Sequence, residues 1–160
     1  MKQMKATWLM LMFVSLLIGG MTSCADREEG EDNETYKMRN TINGPAWRIS
    51  SIKIDGKWYY AFDEDDSKTS PMWFEVKFSA SKKTYNSEKF YYENGYAVES
   101  TRQIMNNAPY TIDKKQVIAY TDDSMKTKYF TLNIVTCDSQ LNGTITFHDE
   151  NKTYEVVMMR

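Results

Sequence analysis

The stretch Leu141-Asn-Gly-Thr-Ile-Thr-Phe-His148 decides the fold class. Leu141, Gly143, Ile145 and Phe147 alternate with Asn142, Thr144, Thr146 and His148. In a strand successive side chains point to opposite faces, so this order gives one apolar face and one polar face. The same period of two recurs on either side. Tyr154, Val156 and Met158 alternate with Thr153, Glu155 and Val157, and Phe130, Leu132 and Ile134 repeat it across 129–135. Met72, Phe74, Val76 and Phe78 alternate with Trp73, Glu75 and Lys77. Residues 44–160 contain two leucines but 19 aromatics, a composition that favours strands over helices.

Turn signals divide these runs. Asp55-Gly56 and Asn94-Gly95 are the pairs a type I′ hairpin turn needs, because both central residues take positive φ. Pro45, Pro71 and Pro109 each fall just before an apparent strand, where a missing N–H does least harm. Gly143, inside a strand, signals a bulge or a bend. About eight to ten strands are expected, at 46–54, 57–62, 72–78, 82–92, 96–101, 109–113, 116–121, 127–136, 141–148 and 152–159. Sequential strands on short turns predict an all-β chain, an antiparallel up-and-down barrel or a sandwich; a barrel of about eight strands is the expectation, since closure leaves no unpaired edge.

The whole chain has 160 residues, 20 basic and 22 acidic groups, one histidine and two cysteines. That is room for one domain. The charge balance gives no basic footprint for nucleic acid. One histidine is too few for most His-built metal sites and catalytic triads, and neither a metal nor a cofactor is expected.

The N-terminal part reads differently. Lys2 and Lys5 precede the apolar run Trp8–Ile18, which is too short to span a bilayer and matches a signal-peptide core. Residues 1–23 are therefore read as a leader. Residues 24–43 begin with six acids and one base before Tyr36 and are read as a flexible acidic tether that lifts the domain off the membrane. Residues 44–160 form the folded domain.

Two resemblances sharpen this division. Met21-Thr22-Ser23-Cys24 resembles the lipobox of bacterial lipoproteins, which implies that Cys24 becomes the acylated N-terminus and the lipid attachment site. The acidic stretch after it is similar to the surface-export signal of lipoproteins of the Bacteroidota. Gly44-Pro45-Ala46-Trp47-Arg48-Ile49, the run of hairpins and the final Arg160 together resemble the lipocalin-like lipoproteins of that group. That likeness implies that Trp47 closes one barrel end beside Arg160 or Arg48. It also implies an outer-membrane, lipid-anchored location, displayed at the surface or facing the periplasm.

For function, the aromatic side chains are the main candidates. Trp58, Tyr60 and Phe62 share one parity, and Phe74, Phe78, Tyr92 and Tyr120 are assigned to the same interior. In a small barrel such side chains either fill the interior or line a ligand pocket. The first expectation is thus a small apolar or amphipathic ligand held in the barrel. The second is a filled barrel that docks on an envelope protein, and a hydrolase comes third. Glu75, Glu99 and Glu155 alternate with apolar residues and are expected on the outer face. Asp63-Glu64-Asp65-Asp66 reads as a solvated loop, Cys137 as a buried strand end and His148 as an ordinary surface histidine. Asp123-Ser124-Met125 is similar to a short O-glycosylation pattern of the same bacteria.

Overall fold

The computed structural model describes residues 26–61 and 66–160. The leader, Cys24, Phe62 and Asp63-Glu64-Asp65 lie outside the described residues. The elements run in order α1 (Asn33–Ile42), β1 (Trp47–Ile54), β2 (Lys57–Tyr60), β3 (Met72–Ser79), β4 (Thr84–Glu93), β5 (Tyr96–Asp113), β6 (Gln116–Tyr120), β7 (Lys128–Cys137), β8 (Gln140–Phe147) and β9 (Lys152–Met159).

Every strand pairs antiparallel with its neighbours, and β9 returns to pair with β1 through Ile49↔Met158 and Ile52↔Val156. The other edge of β1 is shared. Its first residues, Trp47 and Arg48, pair with β3, while Ser51–Ile54 pair with β2. The sheet β1-β3-β4-β5-β6-β7-β8-β9 therefore closes into the expected eight-stranded up-and-down barrel, and β2 is a short extra strand beside it. Both predicted type I′ turns form: Asp55 and Gly56 take φ of 49° and 81°, Asn94 and Gly95 take 52° and 79°.

Two strands expected as separate pieces, 96–101 and 109–113, are one 18-residue strand, β5. The register of β4 against β5 slips between Tyr85 and Ser87 and again between Lys89 and Tyr91. The extra residues on β5 break its period and so hide its continuity in the sequence. Gly143 is explained by a third irregularity. It sits opposite the bulge between Ile134 and Thr136 of β7, and a Cβ there would lie 2.1 Å from the Asn133 carbonyl oxygen.

The reading of 24–43 as a flexible tether is corrected over its second half. Asp32 caps a ten-residue helix, its side chain accepting hydrogen bonds from the Glu34 and Thr35 amides. Thr35, Met38, Arg39 and Ile42 are buried, which is the i, i+3, i+4, i+7 spacing of a helix laid on a core. Met38 and Ile42 belong to the barrel's own hydrophobic cluster, and the Lys114 amide donates to the Thr35 hydroxyl. Only two strongly apolar side chains face inward, so composition concealed the helix. Among the described residues, no helix is long and apolar enough to cross a membrane.

If α1 belongs to the folded unit, Ile42→Ala lowers stability by about 2–5 kcal/mol, the usual loss for a buried aliphatic side chain. Urea unfolding measures it, and an unchanged midpoint would return the segment to the role of a tether.

Candidate functional site

The barrel has two ends, and different chemistry closes each. At the α1 end the Trp47 ring is fully buried, and its indole N–H donates to the Ile42 carbonyl oxygen at 3.0 Å. The Arg160 guanidinium lies 4.7 Å from the centre of that ring and donates to the Thr41 carbonyl oxygen at 2.7 Å. Trp47 and Arg160 are thus brought together beneath the helix. Arg48 is on the outside, paired with Glu75 and set over Trp73.

The middle is packed with rings. Phe74 meets Phe130 and Phe147 edge-on, with centroids 5.4 and 5.1 Å away. Phe78 meets Tyr110 at 5.1 Å, and Tyr85 meets Phe130 at 5.5 Å. Edge-to-face packing of this kind is the favoured arrangement for buried aromatic pairs. The Tyr85 hydroxyl donates to the Tyr120 carbonyl oxygen, so the phenol is satisfied inside.

The opposite end is ionic. Lys89 follows Tyr85 and Ser87 on the inward face of β4 and is fully buried. Its ammonium donates to Asp149 at 3.0 Å and to Glu150 at 2.6 Å, both in the turn between β8 and β9. It also sits 4.5 Å from the centre of the Phe147 ring. Tyr91 donates its hydroxyl to Glu150. Gln103 donates to Asp149 and accepts from the Tyr129 hydroxyl. Burial raises the pKa of Asp149, but hydrogen bonds from Gln103 and Lys89 outweigh it and hold the carboxyl below its ordinary value. Burial, with the Glu150 carboxylate beside it, pushes the Tyr91 phenol far up, so it stays a proton donor. The network binds the 148–151 turn across the barrel mouth. Its amine is committed to two carboxylates and an aromatic face, which suits a lock better than a nucleophile.

Of the seven aromatics assigned to the interior, the six among the described residues are not one cluster. Phe74 and Phe78 are in the packed interior. Trp58 and Tyr60 are exposed at 38% and 42%, because Tyr59 takes the inward position on β2. Tyr120 follows the inward-facing Val117 and Ala119, so its ring turns out and its hydroxyl meets Thr111. Tyr92 also faces outward and packs on Phe90, itself stacked on Trp73 and covered by Arg102. Beside Tyr92, residues of the 69–71 and 94–95 loops enclose an open cleft of about 640 Å³.

Lys89 escaped attention in the sequence because a lysine on a strand is ordinarily a solvent-facing residue. Its parity with Tyr85 and Tyr91 was the available signal. The remaining candidates have simple surroundings. Glu75, Glu99 and Glu155 pair on the outside with Arg48, Arg102 and Lys53. His148 hydrogen-bonds Thr131 at an exposed site, and half-buried Cys137 packs against the core. Asp122 holds the exposed Ser124 turn. No family model, curated protein or solved structure matches the chain.

The lock makes a directional prediction. Replacing both carboxylates (Asp149→Asn with Glu150→Gln) leaves a buried ammonium without a counter-charge and costs about 3–5 kcal/mol. Lys89→Met costs less, since Asp149 and Glu150 can turn to solvent. Equal losses in urea unfolding would contradict this. The Asp149 pKa is lower folded than unfolded, so its contribution is complete above about pH 4 and declines as pH falls through the folded value. A pH series of unfolding midpoints for wild type and Asp149→Asn should converge in acid.

Proposed function

We propose that the chain is a lipid-anchored envelope lipoprotein, similar to the lipocalin-like lipoproteins of the Bacteroidota, whose filled barrel acts as a docking module for an envelope protein. The anchoring half of this reading is supported by the leader and by the lipobox-like Met21-Thr22-Ser23-Cys24. The docking half is carried by one observation. The barrel interior is occupied from end to end by Trp47, Phe78, Phe74, Phe130, Phe147 and Lys89, each nearly or fully buried. A container of the kind that small-ligand barrels use needs a cavity of several hundred Å³. Side chains fill that space here, which favours docking over ligand storage.

The helix adds an orientation. Arg27 already donates to the Glu31 carbonyl oxygen, so only Ala25 and Asp26 separate an acylated Cys24 from the folded chain. At about 3.5 Å per residue the gap is roughly 10 Å, comparable with a lipid headgroup layer. The α1 end then rests near the bilayer. The hairpin tips at the other end, with exposed Tyr96 and the cleft beside Tyr92, face outward to a partner. Two or more acyl chains would hold the protein there stably. The export-signal likeness of the acidic stretch favours surface display, and no catalytic role is proposed.

Site-specific photocrosslinking in intact cells tests the reading. A crosslinker at position 96 should trap a protein, and one at position 82, on the α1 end, should trap lipid. In Cys24→Ala the lipid adduct should vanish. Protein adducts of equal yield from both positions would overturn the orientation.

A further inference from the structure

The ring of strands is closed, but β5 overshoots it at the mouth. Its ladder with β6 covers only Tyr110↔Ala119 to Asp113↔Gln116, whereas its ladder with β4 runs on to Glu93↔Tyr96. Pro109 stands where the β6 ladder stops, and it has no N–H to offer a neighbouring strand. From 96 to 108 the β4–β5 hairpin therefore forms a rim. It has β4 on one side and, among the described residues, no strand on the other.

Strand alternation identifies the groups this rim presents. The Tyr92 amide donates to the Pro71 carbonyl oxygen, toward β3, and the Tyr91 amide donates to the Thr101 hydroxyl, toward β5. Lys89 and Ser87 share the direction of Tyr91, so their partners Gln103 and Met105 turn N–H and C=O to β4. Ile104 and Asn106 turn theirs the other way, to the open edge. Both residues are exposed, Ile104 at 56%. The edge is bent, because register slips lie on either side of 103–106 and Asn107 takes a φ of 51°. Bulges of this kind guard an edge against an identical one, since a rigid second copy cannot follow the bend. A flexible extended segment can. Apart from buried Lys89, the hairpin carries Glu88, Glu93 and Glu99 against one base, Arg102, which Glu88 and Glu99 already hold. The rim is thus acidic and attracts bases.

We infer that the open edge of β5 takes up an extended basic segment of the docking partner as an added strand. The backbone of that segment bonds to Ile104 and Asn106, each of which offers one N–H and one C=O. An apolar side chain of the segment lies beside Ile104, and its bases face Glu93 and Glu99. This inference rests on the docking reading above and supplies its mode of recognition.

The test is amide hydrogen exchange of the mature chain, followed by NMR, with the capped peptide Lys-Val-Thr-Val-Thr-Val-Lys as the probe. At about ten times its Kd the peptide should slow exchange at Ile104 and Asn106 by about tenfold. The same peptide with glutamate in place of lysine should bind about threefold or more weakly. Ile104→Pro removes an edge N–H where proline is tolerated, so Asn106 should lose its protection while the urea midpoint stays unchanged. Ile104→Thr keeps that N–H and should keep the protection. No slowing at Ile104 and Asn106, or full protection of Asn106 in Ile104→Pro, would overturn the inference. Protection that grows with protein concentration in the absence of peptide would overturn it in favour of a second copy. The crosslinker at position 96 judges the docking reading separately. A protein trapped there, with Ile104 unprotected by the peptide, leaves docking intact and removes only this mode.

Discussion

The structure depends on hydrogen bonding along both edges of β1. Its pairing with β9 on one side and with β3 on the other turns a meander into a closed ring. Closure leaves no unpaired edge within the barrel to recruit another chain. It also assigns every alternate side chain on eight strands to one enclosed volume. What the sequence places on those alternate positions then decides whether the barrel is a vessel or a solid. Here they include Trp47, Phe74, Phe78, Tyr85, Phe130 and Phe147, whose rings interlock.

The two ends express opposite solutions to the same problem. At one, an apolar ring is sealed by a helix and an arginine. At the other, a buried ammonium is satisfied by two carboxylates on a turn, with tyrosine and glutamine completing the network. A buried ion pair is a poor source of net stability, but breaking it is costly because one charge is then left buried without a partner. With the interior closed at both ends, what solvent can reach lies on the outer surface. There the Trp73, Phe90 and Tyr92 rings pack together beside the cleft of the 69–71 and 94–95 loops.

Much of the fold was legible in the sequence, since period two survives wherever strands are regular. β3, β8 and β9 read correctly from alternation alone, and Asp55-Gly56 and Asn94-Gly95 marked their turns. The signal failed where geometry breaks the period. Bulges split β5 into two apparent strands, and on β2 the inward residue is Tyr59, so Trp58 and Tyr60 point outward. Tyr120 misled for a related reason: small residues, Val117 and Ala119, occupy the interior there. The helix escaped because acids dominate its surroundings, although Asp32 before Thr35, Met38 and Ile42 carried a capping and spacing signal. The charged lock depends on a contact between Lys89 and a turn some 60 residues later, which no local pattern reveals.

The central claim is that this barrel is solid and lipid-anchored. Native mass spectrometry of the protein purified from its own membrane tests it most directly. The account predicts a chain beginning at Cys24, heavier by the mass of its acyl groups, with no stoichiometric apolar or amphipathic molecule released on denaturation. A chain without acyl mass, or a stoichiometric apolar or amphipathic ligand released only when the barrel unfolds, would contradict it.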